Sequence, residues 1–204
     1  MFGTTEQGGA NGDGTVFELT GTGFEAPCYG RGTLILTDRG EVPVEELAIG
    51  DLIMTKSGWL RPIKWIGHRS YDGRFIRGKR EVLPIIVSAG ALEEGVPARD
   101  LWVSPEHALY IDRLLVPAKL LVNGMTIIQV EAVERLEYFH IELEGHDVIF
   151  AEGAPAESYV ECDNRLMFHN GAEYAALYPE RQPSGIHQSC AARLSEGAAL
   201  ETRT

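Results

Sequence analysis

No run of about 18 apolar residues occurs in the sequence, and a helix needs roughly that many to cross a bilayer. A helical membrane span is therefore not expected. Positive charge is also scarce: 18 Lys and Arg stand against 30 Asp and Glu, a net charge of -12. Such an acidic chain gains nothing from a phosphate backbone, so nucleic acid is not an expected partner. Cysteine is scarcer still. Cys28, Cys162 and Cys190 make an odd, widely spaced set, which fits neither a disulfide frame nor a metal knuckle. The opening MFGTTEQGGANGDG has no basic flank and no apolar stretch, so it does not read as a signal peptide, and the compartment stays open. No segment before residue 160 carries a long 3.6-residue period.

What is present instead is strand-like. From residue 26 the chain runs through TLILT, EVPVEELAIGDLIMT, LPIIVSAGAL, DLWVSPEHALYID, LLVPAKLLVNGMTIIQVEAV and LEYFHIELEGHDVIFAEG. These runs are rich in Val, Ile, Leu and Tyr and are broken at glycine-bearing turns, which predicts an all-β domain. We place it at 26–160. Residues 1–25 form a glycine-rich leader, and GTTEQGGANGDGTVFEL resembles one unit of a repeat found in tandem in some bacterial surface proteins. Residues 161–204 read as an extension. NRLMFHNGAEYAALY is expected to form a short helix, and the remainder to be extended with a weak helix over 191–200. DGRFIRGKRE, residues 72–81, is expected to be a charged exposed loop. Trp59, Trp65 and Trp102 read as core or edge packing.

Three polar clusters stand out: Cys28 at the mouth of the first strand, Ser104 and His107 in VSPEHALYI, and His140 and His146 in YFHIELEGHDVIF. A lone cysteine in a β domain is ordinarily a small buried hydrophobe. The residues around it point further. CYGRGT (28–33), GEVPVEEL (40–47), GD (50–51), WIG (65–67), DLWVSPEHAL (100–109), LVPAKLLVNG (115–124) and EYFHIELEGHDVIFAEGAPAES (137–158) occur in that order. Together they resemble the Hedgehog–intein (Hint) domain, most closely its bacterial intein-like branch.

The resemblance implies a horseshoe-like all-β fold with a pseudo-two-fold arrangement. It also implies that Cys28 attacks the carbonyl of Pro27 in an N-to-S acyl shift, turning the Pro27–Cys28 peptide bond into a thioester. His107, in the position of the family's T-x-x-H histidine, would protonate the leaving nitrogen, with Ser104 in the threonine position helping to polarise the bond. Inteins usually carry an aspartate near their C-terminal block. By its spacing to His146, His140 takes that place, and we read it as a base for the Cys28 thiol. Inteins end in His-Asn, whereas Glu157 and Ser158 stand here, and neither forms a succinimide. Water or an external nucleophile must then resolve the thioester, and the upstream segment is the substrate.

Other readings remain open at this stage. His146 in EGHD could simply hold its loop, and Glu157 could orient water or lie at the surface. His169-Asn170, twelve residues beyond Ser158, is a candidate displaced cleavage site. His68, His169 and His187 read as exposed, and Cys162 and Cys190 as incidental. Cys28, His107, His140 and His146 would suit zinc by residue type, but they lack a short chelating pair, and no metal or cofactor is expected. A Hint fold that no longer cleaves and serves as a structural or interaction module is the alternative function. A thiol hydrolase acting in trans is a third.

Overall fold

The computed structural model describes residues 26–159, 165–180 and 189–194, together with the backbone of 2–4 and 16–18. Phe2–Thr4 (β1) and Val16–Glu18 (β2) form an antiparallel pair of their own. Then come β3 (Tyr29–Gly30), β4 (Leu34–Thr37), β5 (Gly40–Pro43), β6 (Leu52–Met54), β7 (Leu60–Pro62) and the long β8 (Trp65–Asp72). After one helical turn, α1 (Gly73–Ile76), follow β9 (Ile85–Val87), β10 (Leu101–Val103), β11 (Ala108–Ile111) and β12 (Leu114–Pro117). The turn α2 (Ala118–Leu121) leads to β13 (Ile127–Gln129), β14 (Arg135–Glu142), β15 (Val148–Ala151) and β16 (Ala154–Glu157). Helix α3 (Gly171–Leu177) and strand β17 (Ala192–Arg193) complete the described chain.

The fold is all-β, as the strand-like runs predict. One sheet has the order β13-β9-β10-β3-β14-β8. The other runs β17-β12-β11-β16-β15-β4-β6-β7, with β5 paired to β4. Ile85, Val87, Leu101 and Val103 of the first sheet bury against Ile35, Ile53, Leu109 and Ile149 of the second. Each such side chain contributes about 1.5–3 kcal/mol on leaving water. Ala26, Cys28, Trp65, Leu83, Tyr138 and Phe168 belong to a second buried cluster.

Two local features set the surroundings of β3. Short β3 lies between β10 and β14, so the chain enters the sheet at its centre. Gly30 makes this approach possible, because a Cβ there would lie 2.8 Å from the Trp102 Cβ. On β14, Leu136, Tyr138 and His140 alternate to one buried face, the period-2 pattern of a strand.

The structure changes several local expectations. Trp65 is fully buried, but Trp59 is 68% exposed near the β6–β7 hairpin. It lies in a turn, where no second layer covers it. The 72–81 loop contains α1, started by the Asp72 carboxylate accepting from the Arg74 N–H and anchored by buried Ile76. Residues 192–193 form a strand rather than part of a helix, pairing parallel to β12. The short helix after residue 160 is present as α3, preceded by a 3-10 turn over Arg165–Met167.

Candidate active site at the Pro27–Cys28 bond

Cys28 sits at the start of β3 with no solvent exposure. Its N–H donates to the Ser104 Oγ at 2.9 Å. The same hydroxyl donates to the Ala26 carbonyl at 2.9 Å, and the Ser104 N–H donates to the Cys28 carbonyl at 2.9 Å. One residue at the end of β10 thus holds the backbone before and after the peptide bond between Pro27 and Cys28.

The carbonyl side of that bond is held by His140, whose Nδ1 makes a short hydrogen bond with the Pro27 oxygen. The Cys28 Sγ lies 3.8 Å from the same nitrogen. Two acceptor lone pairs would repel at such close approach, so Nδ1 carries the proton and donates to the Pro27 oxygen. That leaves Nε2 as the bare nitrogen, and it has no hydrogen-bond partner among the described residues. Tyr159 meets the ring edge-on at 3.8 Å between centroids, and Phe168 packs on it at 5.0 Å. Gly67 pairs with His140 across β8 and β14. A Cβ at Gly67 would lie 2.8 Å from both Phe168 and Trp65, so glycine leaves room for these rings.

His107 lies in the turn between β10 and β11. Its N–H donates to the Ser104 carbonyl at 3.0 Å, and its carbonyl accepts from Ala118 N–H at 2.8 Å. The ring packs against Tyr29 at 4.2 Å. Neither ring nitrogen has a hydrogen-bond partner among the described residues. Burial lowers the His107 pKa to about 4, against the opposing pull of the Glu157 carboxylate. Burial likewise holds His140 well below its ordinary value, although the hydrogen bond to Pro27 opposes it. Burial raises the Cys28 thiol well above its ordinary range, with Arg69 pulling the other way. At rest, therefore, the thiol and both imidazoles are neutral.

Glu157, at the end of β16, is fully buried. Its Oε1 accepts from the Ala108 N–H at 2.7 Å, and the Tyr29 hydroxyl donates to its carbonyl at 2.8 Å. Arg193 reaches both carboxylate oxygens, at 2.8 and 2.7 Å. His146 is not a surface loop residue. Its side chain is 2% exposed, with Nε2 3.4 Å from the Glu157 Oε2, and Nδ1 accepts from the Cys190 N–H at 3.1 Å. Burial lowers the His146 pKa, but Cys190 and Glu157 beside it lift it to about 9. That value needs Nδ1 free to take a proton; with β17 docked the Cys190 N–H occupies its lone pair, so we assign the neutral ring, its proton on Nε2 facing Glu157.

The sequence-predicted residues thus fall into two linked groups. Ser104 and His140 touch Cys28 or Pro27 directly. Glu157 binds the backbone next to His107 and holds His146 at its side. Asn170 does not share this site's hydrogen bonds. Its amide accepts from the His68 N–H at 3.1 Å and donates to the Ile66 carbonyl at 2.8 Å, which fastens it to β8. Cys162 and His187 lie outside the described residues. Among the described residues, no group of three or more His, Cys, Asp or Glu side chains is arranged to hold a metal ion. Tyr159, Phe168 and Arg193 were not singled out from the sequence. An aromatic after the Glu157-Ser158 pair was a weak signal for the first, and an isolated arginine in a polar tail was none for the last.

Fold and site together define a β-domain built around a cysteine whose own N-terminal peptide bond is gripped on both sides. The Hint domain family matches residues 27–163, and the chain belongs to that family. No curated protein sequence matches the chain. Among solved structures it is similar to the gp41-1 intein, with a TM-score of 0.46, 15% identity, and coverage of 64% of this chain and 97% of that one. It is also similar to a bacterial intein-like domain from Clostridium thermocellum, with a TM-score of 0.49, 13% identity, and coverage of 65% and 97%. A DnaB intein from Synechocystis sp. PCC 6803 has a TM-score of 0.45 and 11% identity, over 65% and 98%.

Proposed function

We propose that the chain cleaves itself at Pro27–Cys28, with Cys28 as the nucleophile and its upstream segment as the substrate. The observation that carries this reading is the grip on one peptide bond: Ser104 on its N–H, His140 on its carbonyl, and the Cys28 Sγ 3.8 Å from that same imidazole. The sulfur attacks the Pro27 carbonyl carbon, and the negative charge grows on an oxygen already facing the Nδ1–H of His140. A donor placed where charge develops is the arrangement that lowers such barriers most. His107, neutral at rest, takes the proton lost by the thiol and gives it to the Cys28 nitrogen as the C–N bond breaks. The products are a Pro27 thioester on Cys28 and a free α-amine. Water or an external nucleophile then takes the acyl group and returns the thiol.

His140 fits the oxyanion better than the base role read from the sequence, since its proton-bearing Nδ1 already faces the Pro27 oxygen. A second reading is favoured by the depth of burial. Cys28 is sealed from solvent with its thiol protonated, as befits a Hint fold that no longer cleaves and serves as a structural or interaction module.

Intact mass of the purified chain, followed over time with and without added thiol and beside Cys28→Ala, separates the two. A fragment beginning at Cys28, formed faster with thiol and absent in the variant, is the expected result. A chain that stays whole in every condition establishes the non-cleaving module.

A further inference from the structure

A carboxylate without solvent exposure must be paired or it takes up a proton, because an uncompensated buried charge costs several kcal/mol. Glu157 is such a group. The side chains and backbone around it come from several elements. His146 reaches it from the β14–β15 connection, Tyr29 from β3, the Ala108 N–H from β11, and Arg193 from β17. His107 also lies near it, but burial keeps that ring neutral. Burial favours the protonated acid, yet His146 and then the Arg193 guanidinium hold Glu157 below its ordinary range. Among the described residues, Arg193 is the permanent cation that contacts this carboxylate.

The arginine does more than neutralise a charge. Its Nη1 bonds both oxygens of Glu157, and its Nη2 donates to the carbonyl of Glu106 in a short hydrogen bond. Glu157 in turn accepts from the N–H of Ala108. The backbone is therefore held at the residue before His107 and at the residue after it, by one ion pair. The Glu106 side chain is engaged elsewhere, 2.6 Å from the Lys119 Nζ, so the clamp uses its carbonyl alone. A planar guanidinium can bind a carboxylate and a carbonyl at once; an ammonium cannot reproduce that fork. The arginine is brought there by the parallel pairing of β17 with β12 and by the Leu194 N–H donating to the Leu115 carbonyl at 2.9 Å. All of β17 lies beyond the stretch matched by the family, 27–163.

We propose that Arg193 is a positioning residue for His107, fixing the backbone on both sides of it through Glu157 and Glu106. The inference rests on the self-cleavage reading above, in which His107 moves the proton, but the clamp itself is measurable without cleavage. Displacing a proton-transfer group by an ångström costs on the order of 100-fold in rate.

The test has two arms on the full chain. In the Cys28→Ala background, carbon and nitrogen NMR follow the titration of the Glu157 carboxyl and the signals of His107. Arg193→Met is expected to raise the Glu157 midpoint by about one unit or more and to shift the His107 backbone amide and ring signals. In the cleaving protein, the same change is expected to slow thiol-induced cleavage by roughly 10–100-fold. Arg193→Lys keeps the charge and loses the fork. It is expected to keep the Glu157 midpoint near that of the unaltered chain and to recover only part of the rate. If Arg193→Met does not fold, Arg193→Lys tests the clamp through the His107 signals and the cleavage rate. An unmoved Glu157 midpoint with unmoved His107 signals in Arg193→Met overturns the clamp, whether or not the chain cleaves. So does an Arg193→Lys protein that matches the unaltered chain in rate and in its His107 signals. A chain with Arg193 intact that never cleaves defeats the self-cleavage reading alone.

Discussion

Ser104 serves two partners with one hydroxyl, accepting from Cys28 and donating to Ala26. Both partners are buried, so Ser104→Ala leaves an N–H and a carbonyl without their bonds. Leaving one buried group unsatisfied costs about 1–3 kcal/mol. We expect Ser104→Ala to lower unfolding stability by that order and to slow thiol-induced cleavage, and Ser104→Thr, which keeps the hydroxyl, to recover most of both. Chemical denaturation and intact-mass kinetics on the same samples check this; an Ser104→Ala protein that cleaves at the original rate removes Ser104 from the mechanism. This residue was legible because it sits three before His107 in a short motif. His140 was legible as a residue but less so as a role. Which nitrogen holds the proton depends on the Pro27 oxygen, and that contact joins positions 113 residues apart.

At the scale of elements, the β8–β14 ladder and the segment after residue 164 build the wall around His140. Arg165 binds both oxygens of Glu142, and Glu142 also holds Lys64 at 2.7 Å. Phe168 then lies on the imidazole, in the space that Gly67 leaves. Gly67→Ala places a methyl 2.8 Å from two rings, and overpacking of this kind costs about 1–3 kcal/mol. We expect that loss in denaturation, together with an upfield or downfield displacement of the His140 ring signals as Phe168 shifts. Normal stability with unmoved His140 signals shows instead that the rings yield freely. The strands themselves were readable from alternation, as in Leu136, Tyr138 and His140. The β11–β12 hairpin showed only as a break between two runs, because its turn residues are Asp112 and Arg113, at φ 48° and 69°. Glycine and asparagine are the usual markers of such a turn. Strand β17 was silent: two residues, Ala192 and Arg193, carry no period, and only β12 makes them a strand.

For the whole molecule, acid is the revealing variable. His107 and His140 are both held neutral by burial, with pKa values below the ordinary value of about 6.5. The unfolded chain therefore binds more protons than the folded one once the pH drops below that value. Stability is fully present above it and declines as the pH falls towards 4, by about 1.4 kcal/mol per unit for each histidine. The lowered Glu157 pKa adds a further loss at the acid end. Denaturation of Cys28→Ala between pH 7.5 and 4 should show this slope, and adding His107→Gln should remove one histidine's share of it. A flat profile contradicts the neutral assignment. The domain as a whole was readable from ordered motifs spread over residues 28–158. Tyr159, Phe168 and Arg193, which help enclose the Pro27–Cys28 bond and its surroundings, were not, because they come from residues 159–194 and meet the site only through the fold.

That wrapping has a consequence for timing. A chain is made from its N-terminus at about 5–20 residues per second, so Cys28 emerges long before Arg193. If the clamp on His107 is needed for cleavage, Cys28 stays idle for roughly 10–30 s of synthesis. The upstream protein then has that interval to fold while still attached. On the self-cleavage reading, the order of the sequence itself would place release after folding.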